Sequence, residues 1–348
     1  MATKAKKTVV ADDNGYAFHK FAWFAQDGTL LTKKFRSVVE QGADGFSDAE
    51  GNVMWRYETA GSTYSCTPAA TKPINVRNAD YPLSDANRVL VAHGLSECGL
   101  LGVPVQLAVT LPLRDFYQAN GQINAARKDD VRDNYLNVPV KVVGKEAQPE
   151  IESVAVLAEC MSAWFDWALT DTGDLKDEIE EIGAMAIVDI GGETTDILSV
   201  SYHEGRLVID NKSSGTKRIG VLDALREVKT HALNRIREEG GRVESMDELP
   251  TLAGEQLLQR GACNFAGRKW EMKDIRDQVL SAHSRKLNDY ISETLGSLGN
   301  YGLILVVGGG AVVYKDPLQA LLPHAEFGDE WANAKGAAKY LRYVASGA

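Results

Sequence analysis

Residues 185–200 read Met185-Ala186-Ile187-Val188-Asp189-Ile190-Gly191-Gly192-Glu193-Thr194-Thr195-Asp196-Ile197-Leu198-Ser199-Val200. A β-branched apolar run leads into an acid. A Gly-Gly turn with hydroxyl residues follows, and a second apolar run leaves it. Glycines let backbone N–H groups approach an anion closely. An acid beside such a turn repels phosphate but suits a hydrated Mg²⁺ that bridges phosphates. The stretch therefore predicts a phosphate turn between two strands, against the plainer alternative of an ordinary hairpin loop.

A second copy of the pattern lies near the N-terminus. Val9-Val10-Ala11-Asp12-Asp13-Asn14-Gly15-Tyr16-Ala17-Phe18-His19-Lys20 is again strand, acid, glycine turn and strand. Asp27-Gly28 marks a hairpin to a third strand, and Glu204-Gly205 marks its counterpart in the later copy. The two copies match element for element. Such a repeat predicts two similar halves, each offering one acidic turn to a shared cleft.

Composition sets outer limits. The 348 residues are 44% hydrophobic and 25% charged, which suggests two domains with ample cores. The formal net charge of −10 argues against direct, tight nucleic-acid binding. No apolar run is long enough to span a membrane. Cys66, Cys98, Cys160 and Cys263 lack metal spacing and read as reduced thiols in a cytoplasmic protein. The basic tail, residues 1–7, reads as a disordered terminus.

Further along, residues 105–111 read as a buried strand closed by Pro112. Pro149-Glu150 reads as the start of a helix over residues 151–169, with proline and acid in its first turn. The acidic residues 171–181 separate the repeats and suggest a domain boundary. Helices are expected over 221–239, 246–260 and 274–298. A third glycine site follows the apolar run Leu303-Ile304-Leu305-Val306-Val307: Gly308-Gly309-Gly310-Ala311. An open backbone at the carboxyl end of a buried strand suits a flat ring or sugar.

Three glycine turns in this order, two of them acidic, resemble the actin and heat-shock chaperone ATPase superfamily. Thr110-Leu111-Pro112-Leu113-Arg114-Asp115-Phe116-Tyr117, Asp189 to Asp196, Pro149-Glu150, Ile219-Gly220-Val221 and Gly308 to Ala311 are similar, more narrowly, to ParM, the StbA family of plasmid-segregation actins. The likeness runs from about Val9 to Tyr343. It departs at Tyr16, which stands where actin has a small hydroxyl residue; its ring must turn away from the anion, or the backbone alone must bind it.

The resemblance implies an α/β, two-domain actin-like ATPase fold, each domain built on a ribonuclease-H-like mixed sheet flanked by helices. The first domain would cover 1–172, with 323–348 returning to it, and the second 173–322. ATP, with GTP left open, would lie between them. Asp13 and Asp189 would hold Mg²⁺ through water. Asn14, Gly15, Lys20, Gly191, Gly192 and Thr194 would meet the phosphates. Gly308, Gly309 and Gly310 would receive the nucleoside, opposite Gly220 and Asp223. Glu150, or else Glu152, would position the attacking water, with Asp196 touching it. The family's activity would follow: a bacterial, cytoplasmic homopolymer filament that hydrolyses ATP and segregates plasmids. Its contact with a centromere-like DNA site would pass through a ParR-like DNA-binding adaptor, with no direct nucleic-acid or membrane contact. The alternatives are a sugar- or acetate-type kinase of the same superfamily and a membrane-associated cytoskeletal actin homologue.

Overall fold

A computed structural model of the chain describes residues 7–345, except 43–46, 48, 52–53, 68–69, 71 and 241–248. The tail 1–6 and the start of the helix expected from 246 lie outside the described residues. The chain forms two compact units: Met1–Ile179 with Trp331–Ala348, and Glu180–Glu330.

The first unit contains strands β1 (Thr8–Asn14), β2 (Phe18–Phe24), β3 (Leu30–Arg36), β4 (Pro104–Leu111) and β5 (Glu150–Ala158). They order as β3-β2-β1-β4-β5. The first three pair antiparallel, and β1–β4 and β4–β5 pair parallel. Helix α1 (Asp85–Glu97) is capped by Ser84, whose side chain accepts from the Asn87 amide. Gly94 of α1 meets the ring of Phe21 so closely that any Cβ would overlap it. Helix α2 (Met161–Ala168) follows β5.

The second unit repeats this topology. Strands β6 (Ala184–Ile190), β7 (Thr195–His203), β8 (Arg206–Ile209) and β9 (Leu303–Val307) order as β8-β7-β6-β9, with the short strand Glu326–Phe327 beyond β9. Antiparallel pairs again come first and parallel pairs after. At the β7–β8 hairpin both Glu204 (φ +49°) and Gly205 (φ +75°) are left-handed, as a two-residue type I′ turn requires. Helices α3 (Val221–Glu238) and α4 (Lys273–Leu295) flank this sheet. Helix α5 (Ala332–Lys339) belongs to the first unit, and its Gly336 lies against the backbone of Ser162 and Asp166.

One expectation is overturned. Residues 150–158 are a strand, and only Met161–Ala168 is helical. The run Val154-Ala155-Val156-Leu157-Ala158 is short and apolar, and periodicity alone does not separate a buried strand from a buried helix. Pairing with β4 on the sheet decides it.

The first unit buries an unusual amount of titratable chemistry. His93 is 7% exposed, hydrogen-bonded through Nδ1 to Tyr57 Oη at 2.8 Å, and lies 4.7 Å edge-on from Phe35. Burial pushes its imidazole down to about 4, although the nearby Glu97 carboxylate opposes the shift. The unfolded chain therefore binds a proton near pH 6.5 that the folded unit refuses until about pH 4. Stability from this group is present above pH 6.5 and declines as pH falls toward 4, by roughly 3 kcal/mol. Chemical denaturation at pH 7 and pH 4.5 checks this. His93→Leu is expected to lose less stability between the two than the unsubstituted protein.

Candidate functional site

In the first unit the site begins where β1 ends. Asp13 is 4% exposed, and both of its oxygens are engaged. Lys20 Nζ donates to Oδ2 at 2.8 Å, and Thr110 Oγ1 donates to Oδ1 at 3.1 Å. Asp13 and Lys20 are direct cross-strand partners, so the ladder itself brings acid and cation together. Asn14 Oδ1 accepts from the Thr110 amide at 3.0 Å, which ties the turn to the end of β4. Ser37 Oγ donates to the Gly15 carbonyl at 2.6 Å. The amides of Tyr16 and Ala17 donate to no acceptor among the described residues. The Tyr16 ring packs on Tyr81, with centroids 5.7 Å apart.

A buried polar chain lies directly behind this corner. The His19 ring spans Asp12 Oδ2 at 2.6 Å and Tyr81 Oη at 2.5 Å. Burial raises the Asp12 carboxyl above its ordinary range, against the pull of His19.

In the second unit the corresponding acid is Asp189, 5% exposed at the end of β6. Its cross-strand partner is Asp196, where the first unit has Lys20. Asp196 is fully enclosed; it accepts from Thr194 Oγ1 at 3.2 Å and from Thr216 Oγ1. The turn between them folds its carbonyls backward. Gly191 O accepts from the Val221 amide at 3.1 Å, and Gly192 O from the Leu222 amide at 2.9 Å. The amides of Gly192, Glu193 and Thr194 donate to no acceptor among the described residues. Successive N–H groups without a protein acceptor are the kind of feature that can bind an anion.

The glycines have identifiable reasons. A Cβ on Gly220 would overlap the Gly192 carbonyl, so α3 seats directly on the turn. Gly308 has φ +85°, and a Cβ there would strike Asp189 Oδ1. A Cβ on Gly310 would strike Ile190, whereas Gly309 faces open space. Asp223 lies in the first turn of α3, where its Oδ1 accepts from Arg226 Nη1 at 3.3 Å.

Glu150, expected to position the water, lies away from the Asp13 turn. Glu150 pairs with Pro104 at the start of the β4–β5 ladder, while Asp13 and Thr110 gather at the other end. Eight strand residues span roughly 26 Å, so Glu150 is remote from the turn. Glu152 is close to Glu150 and pairs with Lys7 on the surface. The acid at the correct end is Glu159, whose amide donates to Leu111 O at 2.8 Å. It is followed by Cys160 at φ 59°, ψ −48°, with the Met161 amide donating back to Glu159 O at 2.6 Å. That is a γ-turn of the rarer, strained hand. The signal for Glu159 was present: an apolar β-branched run ending in an acid, as at Asp189. Thr110 stands in a ParM-like stretch with no role read for it and Thr216 in none, because only long-range pairing brings them to the acids.

Two sheets of one topology, each ending its central strand in a buried acid and an open-amide turn, define the two-domain actin-like class. Residues 7–169 match the family model for the N-terminal part of the plasmid segregation protein ParM, and residues 187–320 match that for the C-terminal part of archaeal MreB-like actin homologues. The chain has the two-domain actin-like fold, with a ParM-type match over the first unit and an MreB-like match over the second. Among solved structures it is similar to a non-polymerisable quadruple mutant of pCBH ParM, at 17% identity and TM-score 0.74 over 97% of this chain and 99% of that one. It is also similar to a 15-stranded ParM filament from Clostridium botulinum, at 19% identity and TM-score 0.71 over 96% and 99%. The archaeal actin homologue Ta0583 in complex with ADP matches at 18% identity and TM-score 0.70 over 97% and 99%. No curated protein sequence matches the chain.

The glycine geometry yields a stability test. Gly220→Ala is expected to destabilise the second unit by about 1–3 kcal/mol through overpacking. Gly309→Ala is expected to stay within about 0.5 kcal/mol. Thermal unfolding of both variants checks the contrast; equal losses would contradict the packing described.

Proposed function

We propose that the chain binds ATP with Mg²⁺, hydrolyses it, and polymerises into filaments that segregate plasmid DNA. GTP is the alternative nucleotide. The observation that carries this reading is the pair of acidic turns, each with outward amides beside a buried strand-end carboxylate. The ADP complex of the archaeal homologue supports nucleotide binding on this fold, and the filament structure supports polymerisation.

In this reading the amides of Gly192, Glu193 and Thr194 bind phosphate oxygens, and those of Tyr16 and Ala17 do so from the first unit. The Tyr16 ring packs against the buried Tyr81, so the backbone of the turn is the part proposed to meet phosphate. Lys20, already oriented by Asp13, supplies a point charge to the phosphates. Among the described residues no three His, Cys, Asp or Glu side chains cluster as a metal cage. Single carboxylates fit Mg²⁺, which keeps most of its waters and takes its other ligands from phosphate. Asp13 and Asp189 would hold it through those waters, and the ion would neutralise charge on the phosphates. Gly308, Gly309 and Gly310 receive the nucleoside, with Gly309 presenting the open face.

Glu159 replaces Glu150 as the residue that orients the attacking water, because phosphoryl transfer to water depends on in-line placement. Asp196, which accepts from two threonine hydroxyls, would hold the turn in this reading. Self-association follows from head-to-tail contacts that do not close into a ring. The net charge of −10 suits delegation of DNA contact to a basic adaptor of the ParR type. No helix among the described residues is long and apolar enough to cross a membrane, and the filament would work in the bacterial cytoplasm.

Light scattering and phosphate release with Mg²⁺-ATP test the reading. Scattering is expected to rise with nucleotide; a flat trace with phosphate passed to a small acceptor would favour the kinase alternative. Glu159→Ala is expected to assemble yet release phosphate at least tenfold more slowly, while Glu150→Ala turns over normally. Asp189→Ala is expected to lose Mg²⁺-dependent nucleotide binding in a calorimetric titration.

A further inference from the structure

The Gly191–Thr195 turn carries a charge that opposes its apparent purpose. Glu193 places a carboxylate on a turn whose three successive amides donate to no acceptor among the described residues. Its side chain is only 15% exposed, and its Oε1 accepts from Arg218 Nη2 at 2.5 Å. The Arg218 side chain is 67% exposed.

The backbone holds this pair at the turn. Lys217, the residue before Arg218, is laddered to Thr195. Thr195 Oγ1 donates to the carbonyl of Ile219, the residue after it, at 2.7 Å. Gly220 then packs on Gly192 and Glu193 with no room for a Cβ. The backbone of Arg218 is thus anchored on both sides within one residue, and its exposed side chain stays within reach of the turn. Glu193 is largely covered but its partner guanidinium lies mostly in solvent, which screens the pair and keeps its contribution to stability small. A guanidinium binds phosphate through two parallel N–H···O bonds, and phosphate carries more charge than a carboxylate.

We infer that Arg218 is an exchangeable phosphate ligand: it rests on Glu193 when the turn is empty and moves to a terminal phosphate when nucleoside triphosphate binds. Glu193 acts as an internal competitor that lowers affinity and promotes nucleotide exchange. This inference rests on the nucleotide reading above and adds to it the residue pair that sets the affinity.

The two readings of the pair differ in sign. If guanidinium passes from carboxylate to phosphate, removing the competitor and removing the ligand act oppositely. Glu193→Gln is expected to bind Mg²⁺-ATP about 3–10-fold more tightly. Arg218→Ala is expected to bind it at least tenfold more weakly, and Arg218→Lys to fall between. The double variant Glu193→Gln/Arg218→Ala is expected to lie well above Arg218→Ala in affinity, because no uncompensated carboxylate faces the phosphate. Calorimetry below the concentration at which scattering rises measures all four, with circular dichroism melts confirming folding. If both single variants shift affinity in the same direction, or neither shifts it, the pair is a surface salt bridge and the inference is overturned alone. If the unsubstituted protein binds no nucleotide, the nucleotide reading and this inference fall together.

Discussion

A buried carboxylate at the carboxyl end of a central strand is the constraint that shapes each unit. Such a group is costly in a protein interior unless its oxygens are matched. Asp13 is matched by Lys20 from the adjacent strand and by the Thr110 hydroxyl from the parallel strand. This explains why the meander and the parallel strands must meet at that point. In the second unit the cross-strand position holds Asp196, and threonine hydroxyls enclose it. The two halves therefore share one register and differ in electrostatics: acid facing base in one, acid facing acid in the other. The residues one step behind differ as well. Asp12 and His19 form a buried polar chain with Tyr81, where the second unit has Val188 and Thr195 at the matching ladder positions.

The second requirement is backbone proximity. An anion turn works only if its amides face outward, and that requires its carbonyls to be used elsewhere. The first amides of α3 take the carbonyls of Gly191 and Gly192. The same amides would otherwise be unsatisfied at a helix start. Gly220 allows that contact because any side chain would collide with the turn. Gly308 meets the same limit against the Asp189 carboxylate. Glycine at these positions is thus a matter of collision, and at Gly308 of backbone angle too.

Strain is concentrated next to the remaining acid. Cys160 adopts a left-handed γ-turn that few non-glycine residues tolerate, and the Asn333 side chain accepts from its amide at 3.1 Å. That bond reaches across to α5, so the C-terminal segment helps hold the bend after Glu159. Strained backbone persists where surrounding structure over-determines it, and such positions gather at functional sites.

The amino-acid sequence by itself determined the two acidic glycine turns, the meander hairpins and the apolar strand before Gly308. Each is a local pattern of a few residues whose backbone demands are carried by those residues. Tertiary structure alone decided which end of each strand faces the turn. Residues 150–158 satisfy helix and strand patterns alike, and pairing with β4 puts Glu150 at the far end of the strand from Asp13 and Glu159 at the near end. Thr110 and Thr216 likewise reach Asp13 and Asp196 only through long-range pairing, and Arg218 reaches Glu193 in the same way. Contacts between residues far apart in the chain depend on register, and register is set by the whole sheet.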